Sequence, residues 1–198
     1  RLLQRLEDRV GVTEENIGME IKRLTPELLQ DWLQFFDKEA FTDNDEWSGC
    51  YCMCYHWNKA LARKKSWNCS VEDASFNREC AIKFIEKGKM QGYLAYENGN
   101  VVGWCNANDK KAYDNVNFEF PVDEAERGKK VKCVVCFCIA PGARGQGVAS
   151  LLLERVCADA AAEEYDLVEA YPFQHDSYHA YHGPQRLYEK FGFEQIGR

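Results

Sequence analysis

Seven consecutive residues in the second half of the chain carry the clearest chemical instruction. Arg144, Gly145, Gln146, Gly147, Val148, Ala149 and Ser150 follow an apolar and thiol-rich run, Val134 to Ile139, that Pro141 and Gly142 close. After them Leu152, Leu153, Val156 and Ala160 are spaced as one face of a helix. A buried strand, a glycine turn and a helix are therefore expected in direct succession. The first turn of a helix leaves amide N–H groups unpaired at the positive end of the dipole, and glycines let a ligand approach the backbone, so such a turn can hold a phosphate or pyrophosphate. Arg144 can add a charge-assisted contact. The same glycines also suit a plain strand-to-helix connection. A Walker loop is excluded, because Val148 and Ala149 stand where Lys and Ser or Thr would have to follow the last glycine, and the GxGxxG order is not met either.

A second group is Trp47, Cys50, Tyr51, Cys52, Met53, Cys54, Tyr55, His56 and Trp57. On a strand, Cys50, Cys52, Cys54 and His56 would share one face and suggest thiolate metal binding. Zinc motifs instead separate paired ligands by two to four residues around a turn, so no metal is expected. Trp47, Cys52, Tyr55, His56 and Trp57 read as walls of a pocket whose aromatic faces suit a cationic amine. Burial of thiols and aromatics for packing alone remains the alternative. A third group follows the helix. Glu169 is a carboxylate in an apolar strand, which has either a task or a view of solvent. His175, Asp176, His179 and His182 come next, and an imidazole titrates where an amine base must work.

The elements that must position these groups read as one mixed domain. Leu2, Leu3, Leu6 and Val10 have helical spacing, which predicts a helical extension over 1–18 ahead of a domain at 19–198. Met19 to Leu24 alternates like an edge strand, and Thr25 and Pro26 open a helix through Leu28 to Phe36. A helical region from about Asp45 holds the cysteines, and Val71 to Lys87 forms another helix that ends at Gly88. Gly92 to Glu97 and Val101 to Asn108 flank Asn98 and Gly99 as a hairpin. Asp109 to Lys130 is a long irregular stretch, of a length that is often functional.

Composition narrows the partners. The 32 acidic against 25 basic residues give a net charge of −7, so nucleic acid is not expected, whereas a cationic small molecule or basic peptide suits the field. No segment has the roughly 20 apolar residues of a membrane span, and the start lacks the apolar core of a secretion signal, so a cytoplasmic protein with no membrane partner is expected. Ten cysteines in a chain with ordinary core composition read as free thiols.

The glycine turn resembles the signature of the GNAT acetyltransferases: a strand ending in Pro, then Arg or Gln, two residues, Gly, one residue, and Gly or Ala, met here by Arg144, Gly147 and Ala149. Asp166 to Tyr171 is similar to the strand that follows in that family. Leu187, Tyr188, Glu189, Lys190, Phe191, Gly192 and Phe193 resemble its closing YxxxGF element. The likeness covers roughly Met19 to Arg198, most strongly in the second half. A similar Trp and Cys run, with the strand end Glu169 to Pro172, occurs in a poorly characterised branch.

The resemblance implies an α/β (α+β) fold: a twisted mixed sheet with helices on both faces and a splayed central strand pair. It implies acetyl-CoA as cosubstrate, with the backbone of Phe137, Cys138 and Ile139 on pantetheine and amides of Gly145 to Ser150 on pyrophosphate. Tyr188 would be the general acid, the amide of Cys138 or Ile139 the oxyanion donor, and Glu169 the base. The Trp47 to Trp57 group, with Tyr171, would wall the acceptor pocket. The family often has an asparagine seven residues before the tyrosine, and here that position is Tyr181. The expected activity is N-acetylation of a small-molecule amine in a ternary complex. A protein or peptide acceptor, a non-catalytic acyl-CoA-binding module and a cysteine-based metal or redox protein are the competing classes, and a homodimer is the assembly considered.

Overall fold

The computed structural model describes residues 1–5, 18–56, 74–113, 127–172 and 181–196. Seven strands form one sheet: β1 (Leu2–Arg5), β2 (Met19–Arg23), β3 (Gly92–Glu97), β4 (Asn100–Asp109), β5 (Val131–Ile139), β6 (Leu167–Ala170) and β7 (Glu194–Gln195), in the order β2-β3-β4-β5-β6-β1-β7. All neighbours are antiparallel except β5 and β6. Asn98 and Gly99 turn the β3–β4 hairpin with φ of 50° and 80°, the positive angles that pair was expected to supply.

Helices cover both faces. One carries α1 (Leu29–Gln34), which continues as a wider π turn over Phe35–Glu39, and α2 (Ala74–Glu86), over a core that includes Trp32, Phe36, Trp104, Tyr113, Cys52 and Cys138. The other carries α3 (Val148–Ala162) and α4 (Gln185–Glu189), with Leu152, Leu153, Val156, Phe137 and Tyr188 buried between them and the sheet. The mixed sheet with helices on both faces is the architecture expected from the sequence.

The start of the chain corrects the reading. Leu2–Arg5 is a strand, not a helix, and it lies between β6 and β7 with Leu3 opposite Glu169. Leu2 joins the core under α3 and Leu3 the core under α1, so the pair buries both faces of a strand. Helical spacing of four apolar residues lost to the free edge of β6, whose unpaired backbone groups a strand satisfies. Residues 6–17, which held the rest of the expected helix, lie outside the described residues, as do Trp57, His175, Asp176, His179 and 114–126 of the long irregular stretch. The cysteine-rich region is not a strand. It consists of short 3-10 turns at Asp45–Trp47 and Met53–His56, within the helical region expected there, and the Cys50 and Cys54 sulfurs lie 3.8 Å apart. Among the described residues eight cysteines are thiols and Cys54 is disulfide-bonded, a pairing that composition alone did not reveal. Among the described residues no helix is long and apolar enough to cross a membrane.

Candidate active site

Strand β5 outruns its partner. It pairs with β6 only from Val131 to Val134, because β6 ends at Ala170, and among the described residues no strand pairs with the open edge of Val135 to Ile139 on that side. Strand alternation then decides which amides face the opening. The Phe137 N–H donates to the Tyr181 carbonyl at 2.5 Å, away from β4, so Ile139 turns the same way and Cys138 turns towards its β4 partner Trp104. Of the three residues expected along a pantetheine arm, Cys138 therefore spends its amide on the sheet, and the Phe137 amide is already engaged by Tyr181.

The turn after β5 agrees better with expectation. Gly145 and Gly147 have φ of 76° and 84°, and a Cβ added at either would meet nothing within 4 Å, so the glycines serve the backbone angles rather than a tight fit. Gly147 caps α3, a helix of 15 residues. The amides of Gly145, Gln146, Gly147, Val148 and Ala149 have no acceptor among the described residues, whereas the Ser150 amide bonds the Gly147 carbonyl and drops out of the expected set. Two side chains of the turn bond back to the protein. Arg144 makes a two-pronged contact with Asp43, at 2.6 and 3.1 Å, and donates to the Ile139 carbonyl. Gln146 donates to the Gly142 carbonyl. What the turn leaves without an acceptor among the described residues is therefore a row of backbone donors at a helix N-terminus, an arrangement that suits a diphosphate.

Tyr188 lies under the open edge of β5. It is fully buried, its ring 6.3 Å from that of Phe137, and its hydroxyl donates to the His182 carbonyl at 2.5 Å. Burial pushes its pKa well above the usual phenol value, so it stays protonated at neutral pH. Gly183 is what lets the Tyr181–Gly183 segment come this close. Its φ is 77°, and a Cβ there would lie 3.3 Å from both Phe137 and Tyr188.

Glu169 is not in open space. It has no exposed surface, both its oxygens lie 3.0 Å from Lys110 Nζ, Arg1 Nε is 2.9 Å away, and the Tyr171 hydroxyl donates to it at 2.6 Å. Arg1 and Lys110 are far away in sequence and were not anticipated, since nothing in a linear reading pairs them with Glu169. Tyr171 is thereby tied to Glu169 rather than to an acceptor cavity.

The aromatic and thiol group divides. Trp47 packs its ring 5.7 Å from that of Tyr181, whose hydroxyl accepts from Asn44, and the Tyr55 hydroxyl lies 3.0 Å from His182 Nε2. These two line the Tyr181–Gly183 segment. Cys52 and His56 are instead interior: Trp104 donates to the Cys52 sulfur at 3.3 Å, and His56 sits between Phe84 and Tyr113 beside Asn106. Hydrogen bonding within the thiol cluster, then burial, pushes the Cys50 thiol well above its usual pKa, which disfavours a nucleophilic thiolate. Among the described residues no group of three or more His, Cys, Asp or Glu could hold a metal ion. A cavity of about 460 Å³ opens beside Ala140, and its lining includes Asp31, Gln34, Glu39 and Asn100.

Residues 89–195 match the family model described as an acetyltransferase (GNAT) domain, which is more than half of the chain. No curated protein matches the sequence. Solved structures resemble the fold. A GCN5-related N-acetyltransferase from Ralstonia eutropha JMP134 aligns with TM-score 0.54 at 16% identity, over 91% of this chain and 95% of that one. A polyamine N-acetyltransferase from Drosophila melanogaster gives 0.56 at 12%, over 90% and 84%. An aminoglycoside N-acetyltransferase in complex with CoA gives 0.54 at 15%, over 94% and 95%.

Proposed function

The chain belongs to the GNAT acetyltransferase family, and on that premise we propose that this enzyme moves an acetyl group from acetyl-CoA to a small-molecule amine by direct attack in a ternary complex. The observation that carries the reading is the row of five amides from Gly145 to Ala149, at the start of α3, that have no acceptor among the described residues. Those amides would hold the diphosphate of CoA, and the open edge of β5 would receive pantetheine once the Tyr181 carbonyl leaves the Phe137 amide. The Ile139 amide, turned to that edge, is the candidate oxyanion donor, in place of the Cys138 amide that faces β4.

Acyl transfer to an amine needs the departing thiolate to be protonated. Tyr188 supports that role because burial keeps its proton on at neutral pH and its hydroxyl sits beneath β5. Its hydrogen bond to the His182 carbonyl would be exchanged for one to sulfur. Glu169 is assigned no proton transfer, since its carboxylate is committed to two cations and a phenol. The acidic net charge and the carboxylates of Asp31 and Glu39 in the neighbouring cavity favour a cationic acceptor. The eight buried or partly buried thiols among the described residues support a reducing, cytoplasmic setting, against which the bonded Cys54 counts.

The test combines calorimetry with CoA and thiol release from acetyl-CoA against spermidine, kanamycin and peptide N-termini. The expected result is CoA binding, release with a small amine, and a loss of roughly 10²- to 10⁴-fold in kcat for Tyr188→Phe at unchanged CoA affinity. Absence of CoA binding overturns the reading. A Tyr188→Phe protein at full rate removes the acid, and CoA binding without transfer to any amine leaves an acyl-CoA-binding module.

A further inference from the structure

Direct attack leaves one role without a residue: something must take the proton of the attacking amine. Glu169 is enclosed by Arg1, Lys110 and Tyr171. His56 is interior, with its Nε2 3.5 Å from Asn106 and its ring between Phe84 and Tyr113. His182 is placed differently. Its carbonyl accepts the Tyr188 hydroxyl, the residue before it accepts the Phe137 amide, and its Nε2 lies 3.0 Å from the Tyr55 hydroxyl. Among the described residues it is the imidazole that lies beside the candidate acid and the edge of β5, and its bond to Tyr55 is the one of these three contacts that acetyl-CoA would not displace. Tyr55 and His182 also both keep partial exposure, which a group that meets a diffusing acceptor requires.

We propose that Tyr55 and His182 act as a pair that accepts the proton of the acceptor amine; the proposal rests on the acetyl-transfer reading above. With Tyr55 donating to Nε2, the amine N–H proton passes to the Tyr55 oxygen as the phenol proton moves to His182. The amine nitrogen bonds the acetyl carbon, the carbon–sulfur bond breaks, and sulfur takes the proton of Tyr188. One proton is gained at His182 and one is lost at Tyr188, so net charge is conserved and exchange with solvent resets both groups. The fold supplies what the pair needs beforehand. Burial lowers the His182 pKa to about 4 and raises that of Tyr55, so the imidazole is neutral and the phenol protonated before reaction. The same burial disfavours the imidazolium, so the proton rests on His182 only until solvent removes it.

The experiment measures thiol release from acetyl-CoA with whichever of spermidine or kanamycin the wild-type enzyme turns over, in His182→Ala and in Tyr55→Phe, with CoA affinity followed by calorimetry. The expected result is a fall in kcat of about 100-fold or more for His182→Ala, with CoA affinity within about threefold because Tyr188 and Phe137 bond backbone rather than imidazole. Added imidazoles should restore the rate in order of their basicity, which the filling of a hole would not produce. Tyr55→Phe keeps the ring and should fall in the same direction. Wild-type kcat in both variants, or a loss in His182→Ala that no imidazole restores while CoA still binds, overturns the pair. A wild-type protein that binds CoA but acetylates neither amine overturns the small-amine reading and the pair with it.

Discussion

The turn from β5 to α3 and the turn that runs through Cys50 to His56 each hold two residues in the left-handed region, yet they reach that conformation by opposite routes. In the first the residues are Gly145 and Gly147, for which the angle costs little, and the turn presents bare amides. In the second they are Tyr51 and Cys52, with φ of 44° and 50°, where a side chain makes the conformation cost about 1 to 2 kcal/mol each. Packing supplies the offset. The Tyr51 hydroxyl donates to Asp37 at 2.8 Å, its ring stacks on Phe36 and leans on Trp32, and Cys52 accepts from Trp104. A backbone-built site is thus written in a few adjacent letters, whereas a side-chain-built wall exists only when α1, β4 and the turn are assembled together.

That contrast can be broken or sharpened by substitution. The largest effect is expected among side-chain contacts at Glu169→Gln, which removes the carboxylate that Lys110 and Arg1 face and should lower stability by roughly 3 to 5 kcal/mol. Chemical denaturation reads the loss, and kcat per folded molecule should not change. A large fall in kcat at wild-type stability would make Glu169 a base after all.

A smaller effect comes from pH. His56 is 4% exposed, and burial lowers its pKa from 6.5 to about 4. The unfolded chain therefore binds the proton more tightly than the fold does. The stabilisation is complete above pH 6.5 and is lost as pH falls towards 4, by up to about 3 kcal/mol for this residue. Thermal midpoints between pH 7 and pH 4.5 should drop less steeply in His56→Gln, and an identical slope would show that the ring is solvated.

The smallest effect is expected at the glycine turn. Arg144 is partly exposed and committed to Asp43, so Arg144→Ala should cost less than about 1 kcal/mol of stability and change CoA affinity less than about threefold. A tenfold loss of affinity in calorimetry would mean that the guanidinium, rather than the amides, holds the diphosphate.

Legibility in the sequence follows the same division. Val134 to Ile139, the glycines and the helix face behind them depend on neighbours within a few positions, and each formed where its letters placed it. The β3–β4 hairpin did so for the same reason. The cysteine-rich stretch was expected in a helical region from about Asp45, and short 3-10 turns formed there, too irregular for a hydrophobic period to outline them. Leu2 to Arg5 misled because spacing cannot show that β6 offers a free edge more than 160 residues downstream. Tyr181 was legible only as a departure from the family pattern, and its carbonyl bond to Phe137 was not.

By itself the sequence determined the glycine turn, the strand and helix on either side of it and the family, because backbone angles and hydrophobic period are set by adjacent residues. The tertiary structure decided which titratable groups remain available. It enclosed Glu169 between a strand from the far end of the chain and Lys110, and it drew Tyr55, His182 and Tyr188 together across more than 120 residues. Charges and hydrogen bonds act through space, and their partners become known only when the chain has closed upon itself.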